Sequence, residues 1–382
     1  MSSVTTVFRP EAFREASFFE DVGPNWFASV MGTGIVATAA ALLPRQTPVL
    51  HTFALVVWMA AAALLGLLAV ATLLHWLLYP ANARRHLLDP AMAPFYGAPA
   101  MALLTVGSGA LLVARGVLGE RTAVQVDLVL WLLGTVLGLL AAATVPFVMF
   151  TRQWLRLDST HATWLMPVVP PMVSAAAAAG LVPHLPAGQA RLTFLLAAYA
   201  LFGLSLLASV ITITLVWARL AYHELPPPHL VPSLWIVLGP LGQSVTAANL
   251  LGGVAGMALP ETDARIFDAA GLLYGTAVWG FAMLWLAIAV AATVRTLRNR
   301  LPFSLTWWSF TFPLGTVVTG TSALATHTGL AALAWIGVGL YAGLVAAWAT
   351  VTIRTTQALL VRGTVAPAPA ADAGIAAAGM SF

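Results

Sequence analysis

Cysteine is absent from all 382 residues, which excludes disulfides, thiolate metal sites and thiol nucleophiles together. Lysine is absent as well; all seventeen basic side chains are arginine. Charge of either sign is scarce, at 8% of residues, against about 25% in soluble domains. The thirteen acidic residues fall in termini, loops or span ends, Asp89, Asp127, Asp158, Glu224, Glu261, Asp263 and Asp268 among them. No carboxylate is therefore expected at mid-depth, where cation pathways and proton relays keep one. Without clustered His, Asp or Glu inside the spans, a membrane-embedded enzyme is disfavoured. No metal site, cofactor or nucleic-acid partner is implied.

What is present is apolar length. Hydrophobic residues make up 60% of the chain, and ten runs reach spanning length, at 25–43, 49–79, 94–114, 123–150, 161–182, 190–219, 230–258, 266–295, 302–326 and 329–353. The expected fold class is an all-α integral membrane protein of ten transmembrane helices. Residues 1–23 form an N-terminal segment, 24–358 the membrane domain, and 359–382 a disordered Ala/Pro tail. Residues 1–23 carry Glu11, Glu15, Glu20 and Asp21 and lack the apolar core of a cleaved signal. With the N-terminus inside, inner segments hold twelve arginines (Arg9, Arg14, Arg156 and Arg300 among them) and outer loops five. That bias predicts cytoplasmic termini.

An aromatic opens each odd span: Trp26, Phe95, Trp164, Trp235 and Trp308, at intervals of 69, 69, 71 and 73 residues. Prolines break the same spans, at Pro99, at Pro167, Pro170 and Pro171, at Pro240 and at Pro313, with "MGTG" at the matching depth of the first. The seventh and ninth spans share W-x4-P-L-G, "WIVLGPLG" against "WSFTFPLG". This register defines an internal repeat whose unit is a helical hairpin. Identical orientation on each repetition makes the repeats parallel about an axis along the membrane normal. Five hairpins can close into a ring around a central pore, broken odd spans inside and straight even spans facing lipid. A helical array without a passage is the alternative.

Four residues on from each aromatic stand Val30, Pro99, Val168, Gly239 and Phe312; seven on stand Thr33, Ala102, Pro171, Gly242 and Gly315. With Gly32, Gly34, Pro170, Pro240 and Pro313, these are the expected pore-lining and kink positions. Most lack bulk, and Phe312 is the exception, so it is either an apolar plug in the passage or an ordinary packed ring. Hydroxyls at Thr33, Thr105, Ser108, Ser174, Ser244, Thr246, Thr316 and Thr319 can replace part of an ion's hydration shell. Gln243 and Asn249 suit solute contact or inter-helix hydrogen bonding equally. His161, three residues before Trp164, either faces the inner vestibule or anchors a helix end. With neither carboxylate nor arginine expected at mid-depth, weak binding of an anion is favoured.

The strings "PNWFASVMGTGI", "WLMPVVPPMVSA" and "WWSFTFPLG" resemble the tellurite-resistance/dicarboxylate transporter family, which includes plant slow anion channels, the yeast malate permease and fungal sulfite pumps. The likeness covers roughly residues 20 to 358. It implies a five-hairpin cylinder, a homotrimer with a pore in each subunit, a gating phenylalanine that the "TFP" match places at Phe312, and, for a bacterial host, the inner membrane. Small inorganic or carboxylate anions are the implied solutes. C4-dicarboxylates such as malate are the first expectation, sulfite efflux the second, and a chloride or nitrate channel the third.

Overall fold

The computed structural model describes residue 20 and residues 22–152, 159–298 and 301–362. The expectations for the N-terminal segment and the tail, and for Arg9, Arg14, Arg156 and Arg300, fall almost wholly outside these residues. Among them there is no strand. The helices in chain order are α1 (Phe27–Leu42), α2 (Pro48–Leu78), α3 (Pro80–Leu88), α4 (Gly97–Leu112), α5 (Arg115–Leu118) and α6 (Glu120–Arg152). They continue with α7 (Pro170–Leu181), α8 (Gln189–Tyr222), α9 (Leu238–Val254), α10 (Glu261–Leu297), α11 (Phe312–Thr328) and α12 (Ala331–Arg362). Eight, counted with the 3-10 turns leading into them, are long and apolar enough to cross a membrane. Helices α7 and α11, of 12 and 17 residues, are too short to be counted with them.

Local sequence sets the ends. Thr47 caps α2 by accepting from the Leu50 amide at 3.2 Å, with Pro48 at the first helical position. Gly329, at φ 68°, ends α11 in the left-handed region that glycine adopts without steric cost. Gly119 and Gly188, at φ 79° and 91°, turn the chain before α6 and α8.

Each of the five repeat aromatics lies in a 3-10 turn: Trp26 in Pro24–Trp26, Phe95 in Ala93–Tyr96, Trp164 in Ala162–Leu165, Trp235 in Pro228–Val237 and Trp308 in Leu305–Phe310. The expected mid-depth breaks take a different form from interior kinks. Pro99, Pro170, Pro171, Pro240 and Pro313 all sit in the first turn of an α-helix that follows such a turn, where the missing N–H has no partner to lose. The first span does not break at all; α1 runs through Gly32 and Gly34.

Helices α1, α4, α7, α9 and α11 each pack on the next in that order, and α11 closes back on α1. The 3-10 turns follow one another in the same sequence and gather at one end, the turn face. Burial separates two populations. The apolar windows containing α1, α4 and α9 are 78, 72 and 89% buried, whereas those of α2, α6, α8, α10 and α12 are 22–33% buried. The long helices therefore present apolar surface outward, as lipid requires.

They also satisfy polar groups of the inner segments, most of them backbone carbonyls. Trp58 on α2 donates to the Val106 carbonyl at 2.9 Å, Trp131 on α6 to Ser174 at 2.8 Å, and Trp285 on α10 to Leu234 at 2.9 Å. Trp348 on α12 donates to Thr33 Oγ1 at 3.2 Å, and Ser205 on α8 to the Val168 carbonyl at 2.6 Å. The last carbonyl precedes Pro170 and Pro171, neither of which has an N–H to offer it. A backbone acceptor out of reach of water must find a donor within the protein, and the outer helices supply it.

Candidate functional site

Phe312 is the first residue of α11 and is 2% exposed. Its ring forms part of the wall of two cavities. The larger, about 200 Å³, reaches toward the face opposite the turns and is bordered by Thr38, Thr105, Ser108, Asp127, Gln243 and Thr319. The smaller, about 20 Å³, lies toward the turn face among Met31, Met101, Val169, Gly239, Pro240 and Pro313. The smaller volume holds about one water molecule. One buried ring thus stands in the walls of both a polar-studded chamber and a small apolar one.

Glycine brings the helices this close. A methyl at Gly242 would meet the backbone of Thr316 and Val317, and one at Gly315 would meet the Ile35 side chain. Gly239 has open space where its Cβ would stand, on the wall of the small cavity.

Of the residues expected to line a path, Gly239, Pro240, Pro313 and Phe312 border the small cavity, and Phe312, Thr105, Ser108, Gln243, Thr246 and Thr319 the large one. The others turn to neighbouring helices. Val30 is wholly buried in the core. Gly32 abuts Trp308 and Thr311, and Gly34 the Thr105 methyl. Thr33 accepts from Trp348, Pro99 is half-buried, and Val168 offers its carbonyl to Ser205. Pro170 packs where a methyl on Gly138 of α6 would reach it.

Among the expected solute contacts, Ser244 donates to the Leu241 carbonyl at 2.9 Å, and Thr316 lies within reach of the Leu238 and Pro313 carbonyls at 3.0 and 2.7 Å. Asn249 donates to Val245 at 2.9 Å, and its Oδ1 lies 2.9 Å from His327 Nδ1. The other ring nitrogen of His327 is 3.4 Å from Asp268, which completes a chain on a side cavity toward the opposite face. His161 flanks the Ala162–Leu165 turn, half-buried at the turn face.

The expectation for acidic residues requires correction at one position. Asp127 lies in α6 seven residues past its start, is 1% exposed, and borders the larger cavity. Its Oδ1 has no hydrogen-bond partner. The residue sits near the edge of an apolar run, so the sequence placed it at a span end; tertiary packing of α4 on α6 buries it instead. Glutamine Oε1 of Gln243, on the same cavity, is likewise without a partner. Among the described residues no group of three or more His, Asp or Glu could hold a metal ion.

The fold is that of a multi-pass membrane protein whose inner helices enclose two cavities, with Phe312 in the wall of both. The family model of the SLAC1 voltage-dependent anion channels matches residues 21–356. The chain belongs to that family and is an anion transporter of the membrane. A sulfite efflux pump of Trichophyton rubrum is 30% identical over 307 residues, 79% of this chain and 81% of the relative. An uncharacterized transporter of Methanocaldococcus jannaschii is 28% identical over 336 residues, 87% of this chain and 92% of the relative. A sulfite efflux pump of Candida albicans is 24% identical over 339 residues, 80% and 68% of the two chains.

Proposed function

We propose that the chain moves sulfite, as the hydrogen sulfite anion, along the axis of the five buried helices, with Phe312 as the gate. The observation that carries this reading is the position of Phe312 in the walls of both cavities. Swinging the ring aside would join them. On this reading α7 and α11, together with the turns before them, are short spans shielded by the outer helices, giving ten spans in five parallel hairpins. The turn face is cytoplasmic by the arginine bias, in the inner membrane of a bacterial host. A homotrimer with one pore per subunit is the assembly that the family resemblance implies.

Sulfite is preferred over malate for two reasons. Fungal relatives carry the name sulfite efflux pump. The larger cavity offers hydroxyls, one amide and the Asp127 carboxyl, with no arginine on its wall to pair with a second carboxylate. Weakly held small anions suit such a lining. Flux in proteoliposomes, with sulfite, malate, nitrate and chloride offered separately, tests the assignment. Sulfite should move fastest. Malate moving faster would restore the dicarboxylate reading, and no flux of any anion from a folded protein would reject the function.

A further inference from the structure

An ionised carboxylate is a poor neighbour for an anion, yet Asp127 borders the cavity above the gate. We propose that Asp127 is a proton-binding site in the path, and that an anion occupies the larger cavity only while this carboxyl carries a proton. The inference rests on the reading of that cavity as the anion path.

Three observations converge. Asp127 is 1% exposed, so its charge cannot be stabilised by bulk water. Its Oδ1 has no hydrogen-bond partner, and no ion pair to it is present among the described residues. The fold also makes room for it: a methyl on Gly107 of α4 would stand 2.9 Å from that same oxygen. An isolated carboxylate taken out of water is relieved of its cost by neutralisation. The N-terminal dipole of α6 does not replace a cation, since its effect fades within the first turn and Asp127 lies beyond it.

The charged groups on the surrounding elements are engaged elsewhere; Arg191 of α8, which touches α6 through Phe194 and Trp131, donates to the carbonyls of Pro183, Leu185 and Met257. Helices α4 and α7, which flank α6, carry no Asp, Glu, His or Arg, and neither do α1 and α9 across the cavity. On α11 the only histidine is His327, which faces Asp268 and Asn249. Arg115 at the start of α5 and Glu120 and Arg121 at the start of α6 are exposed, and His184 lies 4.0 Å from Glu120. Nothing nearby can hold the ionised form in place.

The two states then act oppositely on an anion. Protonated, the carboxyl offers an O–H donor into a cavity whose other polar groups include the free Gln243 oxygen and the Thr319 hydroxyl. Ionised, it repels the anion at short range in a low-dielectric setting. The proton comes from water at the opposite face and returns there; no bond other than O–H is made or broken.

The test uses the Phe312→Ala protein in proteoliposomes with the same pH on both sides, alone and combined with Asp127→Asn. Nitrate and sulfite are offered separately. Nitrate keeps its charge across the range, and comparing the two proteins at each pH removes the ionisation of sulfite itself. Flux through Phe312→Ala should fall several-fold from acid to alkaline pH, while the Asp127→Asn combination should hold the acid-level flux throughout. Identical pH profiles would overturn the inference while leaving the path intact. No flux from Phe312→Ala at any pH would overturn the functional reading, and the inference with it. Should the Asn variant fail to fold, infrared spectra of the unmodified protein give the answer. The carbonyl stretch of a protonated carboxyl should be present at neutral pH and disappear in alkali; its absence would overturn the proposal.

Discussion

The hydroxyls of Thr246 on α9 and Thr319 on α11 stand 2.7 Å apart on the wall of the larger cavity. Each also reaches a carbonyl of its own helix at 3.0 Å, Thr246 to Gly242 and Thr319 to Thr316. Two protons are thus shared among three contacts. One hydroxyl can therefore turn toward a passing anion while the pair keeps a bond. Thr319→Val should lower sulfite flux several-fold while costing about 1 kcal/mol of stability, the net worth of a buried hydrogen bond. The double variant with Thr246→Val should be little worse than the single one, because the two side chains act as a unit. Flux assays and thermal unfolding of the four proteins check both statements.

Gly242 and Gly239 lie on the same helix and should respond oppositely to alanine. At Gly242 the methyl meets the α11 backbone, which cannot yield as a side chain would, so Gly242→Ala should destabilise by about 1–3 kcal/mol. At Gly239 the methyl enters open space on the small cavity, so Gly239→Ala should fold normally and reduce flux. Unfolding midpoints in detergent, read beside flux, separate the two effects.

Ser205→Ala removes the donor to the buried Val168 carbonyl. A buried acceptor left without its partner costs about 1–3 kcal/mol. The variant should unfold earlier than the original protein, yet the anion ranking of the folded fraction should not change. A changed ranking would mean that the segment before α7 takes part in solute selection.

The fold was legible where composition and repeat spacing were sufficient. The five aromatics from Trp26 to Trp308 all fall in the 3-10 turns that lead into the buried helices. The pore register was less accessible. Four residues on from the aromatics, only Gly239 and Phe312 border the cavities described here, whereas one step further Met31, Val169, Pro240 and Pro313 all border the small one. A 3-10 turn advances with 3.0 residues per turn rather than 3.6, so spacing counted on an α-helix misdirects the first side chains beyond it. Asp127 was hidden for another reason. Its burial depends on Gly107 of α4, and an acidic residue near the edge of an apolar run carries no local mark of that contact.

The central claim is that Phe312 closes the path. Sulfite flux into proteoliposomes from the original protein and from Phe312→Ala, matched for reconstituted amount and folding, tests it most directly. The account predicts a large gain for the alanine variant, with Phe312→Leu between the two. Equal flux from all three folded proteins would contradict it, and would leave Phe312 a packed ring between two cavities that the anion does not use.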